Sequence, residues 1–137
     1  MARIASALLC DAATVREGLL HILGGGITRL HRAEYPAPMQ VTLVAQVVLS
    51  PVEVEFAHDV TAIVQTEDGE VIVQATGHLE AGGPNPLLEP GESVVLPLVI
   101  GLHGVVLTGP GGYSIEISVD DIHQSSIAFR AITTPVA

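Results

Sequence analysis

The sequence contains six histidines and fifteen acidic residues, the side chains from which metal sites and acid–base catalysts are commonly built. They form two dense pairings along the chain: His58 followed by Asp59, and Asp120-Asp121 followed by His123. A pair of carboxylates at a strand end can bind a hard cation where other oxygens converge. The chain has no His-x-His, His-Glu-x-x-His or Cys-His spacing. We therefore predict no metal site, interpret Asp120-Asp121 as a solvated turn, and leave ion binding at either pairing open.

Two further groups have residue types suited to catalysis. The segment from His123 to Ser126 supplies a base and hydroxyl groups, but the alternate faces of a strand would separate them. Glu53 and Glu55 would lie on one face of an extended segment, roughly 6.6 Å apart along it. Such a pair is far more often part of an acidic surface than an acid–base dyad. We predict no catalytic residues and no enzyme activity.

The run Gly24-Gly25-Gly26 is the only glycine cluster that suggests a phosphate loop. Such a loop needs a following Gly-Lys, and this chain has no lysine. We interpret the run as a bulge or a close approach of two backbones, and predict no cofactor. Cys10 is the single cysteine, so no intrachain disulfide can form; we expect it to be buried in a protein of a reducing compartment.

Apolar runs of strand length, separated by Gly, Pro and Asp, dominate the chain and predict an all-β fold. We expect one domain over residues 1–137, an antiparallel β-sandwich of about 7–9 strands. The strands are expected at 4–9, 19–30, 39–49, 59–67, 70–79, 93–102, 113–119 and 126–133.

Three local features refine this prediction. Residues 11–18 resemble one short helical turn, capped by Asp11 and ended by Gly18. Asp68-Gly69 between two apolar runs predicts a hairpin with a two-residue turn. Pro97 removes a ladder donor, so strand 93–102 should be an edge strand or contain a bulge.

The composition and charge of the chain restrict the classes of partner that it can bind. Charged residues make up 15% of the chain against about 25% in typical domains, and the net charge is −10. Five scattered arginines argue against nucleic acid and anionic membranes. The apolar stretch 4–10 is at the lower limit of length for a targeting signal, and Leu9 instead of a small residue precedes Cys10, so we interpret it as a first strand. The stretch 94–107 is too short to span a bilayer. We expect a soluble cytoplasmic protein that hides apolar surface in a homo-oligomer or against a protein partner.

Two segments of the chain have distinctive motifs. The first runs from Asp11-Ala12-Ala13 through Gly18-Leu19-Leu20 to the glycine run at 24–26. The second begins with Pro90-Gly91-Glu92 and continues through residues 110–117 to a closing strand at 127–129. Both segments resemble a bacterial family of small domains of unknown function. The resemblance implies a β-sandwich of immunoglobulin-like type and brings no activity or functional residues.

Together these observations favour a non-catalytic interaction or assembly module that associates with itself through apolar strand faces or edges. The alternative is a domain that binds a small ligand in an apolar pocket between sheets or subunits. A metal-dependent enzyme is the third and least favoured hypothesis.

Overall fold

The computed structural model describes residues 2–80 and 87–134 and contains twelve strands. The helical content of these residues is one 3₁₀ turn, Glu53–Glu55. The strands are β1 (Arg3–Cys10), β2 (Ala12–Arg16), β3 (Leu19–Leu23), β4 (Arg29–Arg32), β5 (Ala37–Pro38), β6 (Thr42–Leu49), β7 (His58–Thr66), β8 (Val71–Leu79), β9 (Val94–Gly101), β10 (Val106–Leu107), β11 (Gly111–Val119) and β12 (Ile122–Thr133). The all-β prediction is confirmed. The strand number exceeds the expected 7–9 because short pairings such as β5–β10 leave no periodic signal.

The strands form four sheets, among them a curled half-barrel. One main sheet has the order β1-β6-β9, and the other has the order β4-β12-β11-β7-β8. Two-stranded sheets β2-β3 and β5-β10 complete the set. The pairing of β4 with β12 is parallel, whereas an entirely antiparallel arrangement was expected. A parallel neighbour needs a long crossover, and residues 33–121 of the chain lie between these two strands.

The main sheets bury a shared apolar core. Alternate residues of the central strand β6 face it, including Leu43, Val47 and Leu49, as the two-residue period predicts. Ile115 and Ile117 of β11 meet them from the opposite sheet, and both are fully buried. The second face of β6 is also largely buried, at Thr42, Val44 and Val48, although these residues lie outside that core.

Residues 11–18 are the largest departure from prediction, because they form a hairpin instead of a helical turn. β2 pairs with β3 from Ala12 opposite Leu23 to Arg16 opposite Leu19. Glu17 and Gly18 make the two-residue turn with φ of 56° and 72°, the left-handed values that a type I′ turn requires. Glutamate is uncommon at such an angle, so the residue types gave a weak turn signal.

The glycine run is a connection between strands. β3 ends at Leu23 and β4 begins at Arg29, so the expected single strand over 19–30 is wrong. The close approach of two backbones is present: the amides of Gly26 and Ile27 both donate to the carbonyl of Leu9, at 2.9 and 3.0 Å. A side chain at Gly24, whose φ is 65°, would collide with Asp11.

Two local predictions are confirmed. The hairpin β7–β8 turns at Asp68-Gly69, but its loop has three residues, since Thr66 pairs with Glu70 and only Gly69 has a positive φ. β9 is the edge strand of its sheet, as Pro97 requires. The predicted loop 81–91 lies partly outside the described residues.

Candidate functional site

His58 is the one buried histidine among the described residues, and it lies at the start of β7. Its Nδ1 is 2.6 Å from Oδ2 of Asp120, in the turn between β11 and β12. Its Nε2 is 2.7 Å from the backbone carbonyl oxygen of Glu53. Both neighbours are acceptors, so the ring donates from both nitrogens only when it is a cationic imidazolium.

The contacts of this pair favour the charged form of both side chains. Burial alone would lower the pKa of His58, but the hydrogen bonds to Asp120 and to the Glu53 carbonyl outweigh it and raise the pKa. Burial would raise the pKa of Asp120, yet the hydrogen bonds from His58 and from the Asp59 amide lower it. The outcome is an ion pair that ties the 3₁₀ turn, β7 and the β11–β12 turn together.

Asp59 points to the opposite face of β7 and contacts a different histidine. Its Oδ1 lies 2.5 Å from Nδ1 of His78, which is directly across on β8. The structure thus separates His58 from Asp59 and joins Asp120 to His58, while Asp121 and His123 lie outside this contact. Over the described residues, no three ligand-type side chains come together as they would in a metal site.

His123 instead joins a polar trio on the exposed face of β11 and β12. Ser126 Oγ donates to Glu116 Oε1 at 2.6 Å, and His123 Nε2 lies 3.1 Å from the same oxygen. The hydroxyl is also 3.3 Å from His123 Nε2. The prediction that strand alternation separates His123 from Ser126 is wrong. A register shift at Gln124 brings both to one face, since Ile117 pairs with Ser125 but Ser118 pairs with His123.

The trio lacks the geometry of a nucleophilic triad. In a triad the hydroxyl donates to one histidine nitrogen and the carboxylate accepts from the other. Here the serine donates to the carboxylate, and the serine and the carboxylate both contact Nε2 of His123. The hydrogen bond from Ser126 is the main cause that lowers the pKa of Glu116.

The tandem glutamates do not form the predicted extended acidic face. Glu53 and Glu55 lie in the 3₁₀ turn, where Glu53 Oε1 accepts the amide of Ser50 at 2.8 Å. This contact ties the Glu53 side chain back to the backbone two residues before the N-cap Val52. Glu53 therefore has a local structural role next to the His58 contact.

Cys10 is fully buried, as predicted. Its Sγ lies 3.5 Å from the carbonyl oxygen of Thr42. Burial raises the pKa of the thiol, and the charge of Asp11 raises it further. A protonated, enclosed thiol is a poor nucleophile.

The main exposed apolar feature is the hairpin β2–β3, which the sequence analysis missed. Four of its large apolar side chains are accessible, with exposed fractions from 37% to 71%: Val15, Leu19, Ile22 and Leu23. In the sequence, the alternation of polar Thr14 and apolar Val15 before Glu17-Gly18 was the pattern that indicated a strand and a turn here. Between the hairpin and the outer faces of β1 and β6 lies a cleft of about 370 Å³, whose walls include Leu8, Leu20 and Val44.

A comparison with protein families places the chain. The model of a family of unknown function, DUF6941, matches residues 5–132. The chain belongs to the DUF6941 family. The match spans the hairpin, both main sheets and the His58–Asp120 contact, so these features all lie within the family domain. The expected resemblance to a family of unknown function is confirmed at that level.

Other comparisons add little to this DUF6941 chain. No curated protein matches it. In the part of the chain that the structure describes, no helix has the length and apolar character needed to cross a bilayer.

Proposed function

We propose that this chain is a non-catalytic interaction module of the cytoplasm that associates with itself through apolar strand faces or edges. The observation that carries the proposal is the hairpin β2–β3, which runs from Ala12 to Leu23 and has apolar side chains on both faces. Leu19 and Leu23 lie on one face, and Val15 and Ile22 lie on the other. A hairpin with apolar side chains exposed on both faces loses unfavourable contact with water when a partner covers it.

The sheet beneath the hairpin supports the same proposal. Val95, Pro97 and Val99 lie on the outer face of β9, where Val95 is half exposed and the other two are partly exposed, whereas the neighbouring Val48 of β6 is already buried. In most sandwiches this outer face is polar, because it meets solvent. An apolar outer face fits a surface that is covered in an assembly.

Charge supports a protein partner over other classes. A net charge of −10 with five arginines opposes association with nucleic acid and anionic lipid. With charged residues at 15% of the chain, uncharged surface is available at which two acidic copies can meet. A second copy is the simplest partner, because homo-oligomers dominate among soluble assemblies.

The arrangement of the two polar clusters supports a non-catalytic role. His58 and Asp120 are engaged with each other and with backbone groups. The trio of Glu116, His123 and Ser126 lies on a sheet face and has no triad geometry. In both clusters the hydrogen bonds hold strands together.

The two facing sheets and the contact of Tyr113 support the finer prediction of an immunoglobulin-like sandwich, which we propose together with a bacterial source. The two main sheets face each other, and Tyr113 near the start of β11 donates its hydroxyl to the carbonyl of Gly109 at 2.5 Å. A tyrosine bonded back to the preceding corner is typical of immunoglobulin-like domains. In such domains, outer faces and edge strands commonly carry protein contacts.

Light scattering and native mass spectrometry over a concentration series test self-association. We expect a species of at least twice the 14.2 kDa chain mass. The double variant Leu19→Glu/Leu23→Glu should weaken any association through the hairpin, whereas Val52→Glu/Phe56→Glu, which replaces two exposed apolar residues beside the 3₁₀ turn, serves as the control for added charge. A monomer at all concentrations would contradict the proposal.

The cleft beneath the hairpin favours one alternative, the binding of a small apolar ligand. Its volume of about 370 Å³ is in the range of ligand pockets, and its walls include Leu8, Leu20 and Val44. Native mass spectrometry of purified protein would then show a retained small molecule. Val44→Trp should displace such a ligand because the larger side chain fills the cleft.

A further inference from the structure

The two main sheets have four edges, and three of them carry features that prevent pairing with another strand. Natural sheets protect their edges by short length, charge, proline, bulges or covering segments. β4 has four residues, two of them arginines. β9 contains Pro97. β1 has a bulge between Ile4 and Ser6, and the carbonyl of Leu9 is occupied by the amides of Gly26 and Ile27.

The fourth edge, β8, lacks charge and proline, and its bulge, at Ile72, is confined to the end next to the β7–β8 loop. It is nine residues long, from Val71 to Leu79, and it contains no proline and no Asp, Glu, Lys or Arg. Its one irregularity is a register shift near the β7–β8 loop, opposite Gln65. From Val73 to Leu79 the pairing with β7 is regular. This stretch is an open template for a further strand.

The hydrogen bonds of β7 show which β8 groups point outward. Asp59 accepts from the Asp120 amide, and Glu67 donates to the Gly112 carbonyl, so odd-numbered residues of β7 bond to β11. Even-numbered residues therefore bond to β8, and their partners there include Ala75 and Gly77. By alternation, the backbone groups of the intervening β8 residues face the open edge: Gln74, Thr76 and His78.

These outward groups are accessible. Gln74, Thr76 and His78 are all exposed. Among the described residues, no backbone hydrogen bond joins their outward amides and carbonyls to another segment. Three consecutive outward residues are enough for about six hydrogen bonds with an added antiparallel strand, because each facing pair exchanges two.

We propose that β8 of a second copy pairs with this edge, antiparallel and across a two-fold axis at Thr76. The inference rests on the proposed self-association and assigns it a contact at a strand edge, separate from the hairpin β2–β3. In this register Thr76 faces its own copy, and Gln74 faces His78. The two five-stranded sheets then form one continuous sheet.

Charge and side-chain chemistry favour a second copy as the occupant. Two chains of net charge −10 repel each other, and an uncharged edge lets their backbones meet without opposing carboxylates. Glu80, just beyond the strand, would face Ile72 of the other copy instead of a second glutamate. A Thr76–Thr76 pair and the facing Gln74 and His78 are favourable neighbours across strands.

Proline and charge variants at Thr76 test the proposal. Thr76→Pro removes an outward amide and leaves the bonds to β7 intact, because those come from Ala75 and Gly77. Thr76→Asp places two like charges at the axis. The matched control is Thr61→Asp, because Thr61 lies directly across from Thr76 on β7, one strand away from the edge. Circular dichroism confirms that each variant is folded.

The measurements are native mass spectrometry and hydrogen exchange at low and high protein concentration. We expect a dimer in the wild type and in Thr61→Asp, at least a tenfold weaker dimer in both Thr76 variants, and slower exchange of the Thr76 amide at high concentration. Association that survives both Thr76 substitutions but is lost in Leu19→Glu/Leu23→Glu overturns this inference and leaves the proposed function standing. A wild-type monomer overturns both. If Thr76→Pro fails to fold, the Thr76→Asp and exchange results decide.

Discussion

The imidazolium of His58 donates to Asp120 across 62 residues of sequence, with 2.6 Å between Nδ1 and Oδ2. His58 begins β7, and Asp120 is the first residue of the two-residue turn between β11 and β12, where its φ is 50°. The second oxygen of Asp120 accepts the amide of Asp59 at 3.0 Å. One carboxylate therefore stabilises both a buried cation and the junction of two neighbouring strands.

Stability should depend on pH through this pair. The pKa of His58 is raised in the folded protein. Its contribution to the free energy of unfolding is therefore fully present below 6.5, the ordinary pKa of the unfolded chain, and is lost as the pH rises through the pKa of the folded protein. The pKa of Asp120 is lowered in the folded protein. Its contribution to the free energy of unfolding is therefore present above 3.8, its ordinary pKa, and is lost as the pH falls through the pKa of the folded protein. The pair should stabilise the fold most between these two ordinary values.

Asp120→Asn isolates this contribution, because asparagine keeps the shape and tolerates the positive φ. We expect a loss of about 1–2 kcal/mol near pH 5.5, a modest figure because Asp120 is 44% exposed and solvent screens the charge. Urea unfolding from pH 4 to pH 9 measures it. Asp121→Asn, in the same turn, is the control and should leave the profile close to wild type. A constant difference between Asp120→Asn and wild type at every pH would contradict the ion pair.

Tyr113→Phe should destabilise the corner before β11 by about 1 kcal/mol. The substitution removes the hydroxyl that donates to Gly109, and it keeps the ring stacked on Phe129 with centroids 5.4 Å apart. Because the packing is retained, the change in unfolding free energy reports the hydrogen bond. Urea unfolding at pH 7 measures it.

Tyr35→Phe provides the comparison. It removes a hydroxyl that donates to the carbonyl of Ile132 at 2.9 Å, and it does so away from the β11 corner. Faster amide exchange around residues 109–113 should appear in Tyr113→Phe but not in Tyr35→Phe. An unchanged unfolding midpoint for Tyr113→Phe would contradict this prediction. It would show that the hydrogen bond to Gly109 stabilises the folded protein no more than hydrogen bonds to water stabilise the unfolded chain.

Local signals in the sequence were enough for part of the fold. The hairpin at Asp68-Gly69 and the edge position of β9 follow from residue types that act within a few positions, through turn geometry and the missing amide of Pro97. The apolar run 39–49 likewise predicts a strand, which the structure forms over Thr42–Leu49. Each of these features depends on nearest neighbours in the chain.

Features that depend on long-range pairing were not predictable from the sequence. The partner of His58 is set by the pairing of β7 with β11, which no local pattern reveals. The meeting of His123 with Ser126 depends on one register shift, which exchanges the two faces of a strand. The β2–β3 hairpin was not predicted because Glu17 has a left-handed φ at a turn position where asparagine or aspartate is usual.

Cys10 should resist thiol reagents in the native protein. Its side chain is fully buried beside the Thr42 carbonyl, and burial raises the pKa of the thiol, so the reactive thiolate is scarce. Reaction with a chromogenic disulfide reagent at pH 8 should be slow in buffer and complete within the mixing time in urea. Rapid labelling in buffer would show that the outer face of β1 opens readily.

Gly18→Ala should destabilise the hairpin β2–β3 by about 1–2 kcal/mol. Gly18 has a φ of 72°, and a methyl group there would meet no atom within 4 Å, so the whole cost comes from the backbone conformation. Gly104→Ala is the control. Its added methyl group also meets no atom within 4 Å, but its φ lies outside the left-handed region, so the substitution should be neutral or slightly stabilising. Urea unfolding measures both variants, and hydrogen exchange over residues 12–23 locates the effect. Equal stability of the two variants would contradict the left-handed turn at Glu17-Gly18.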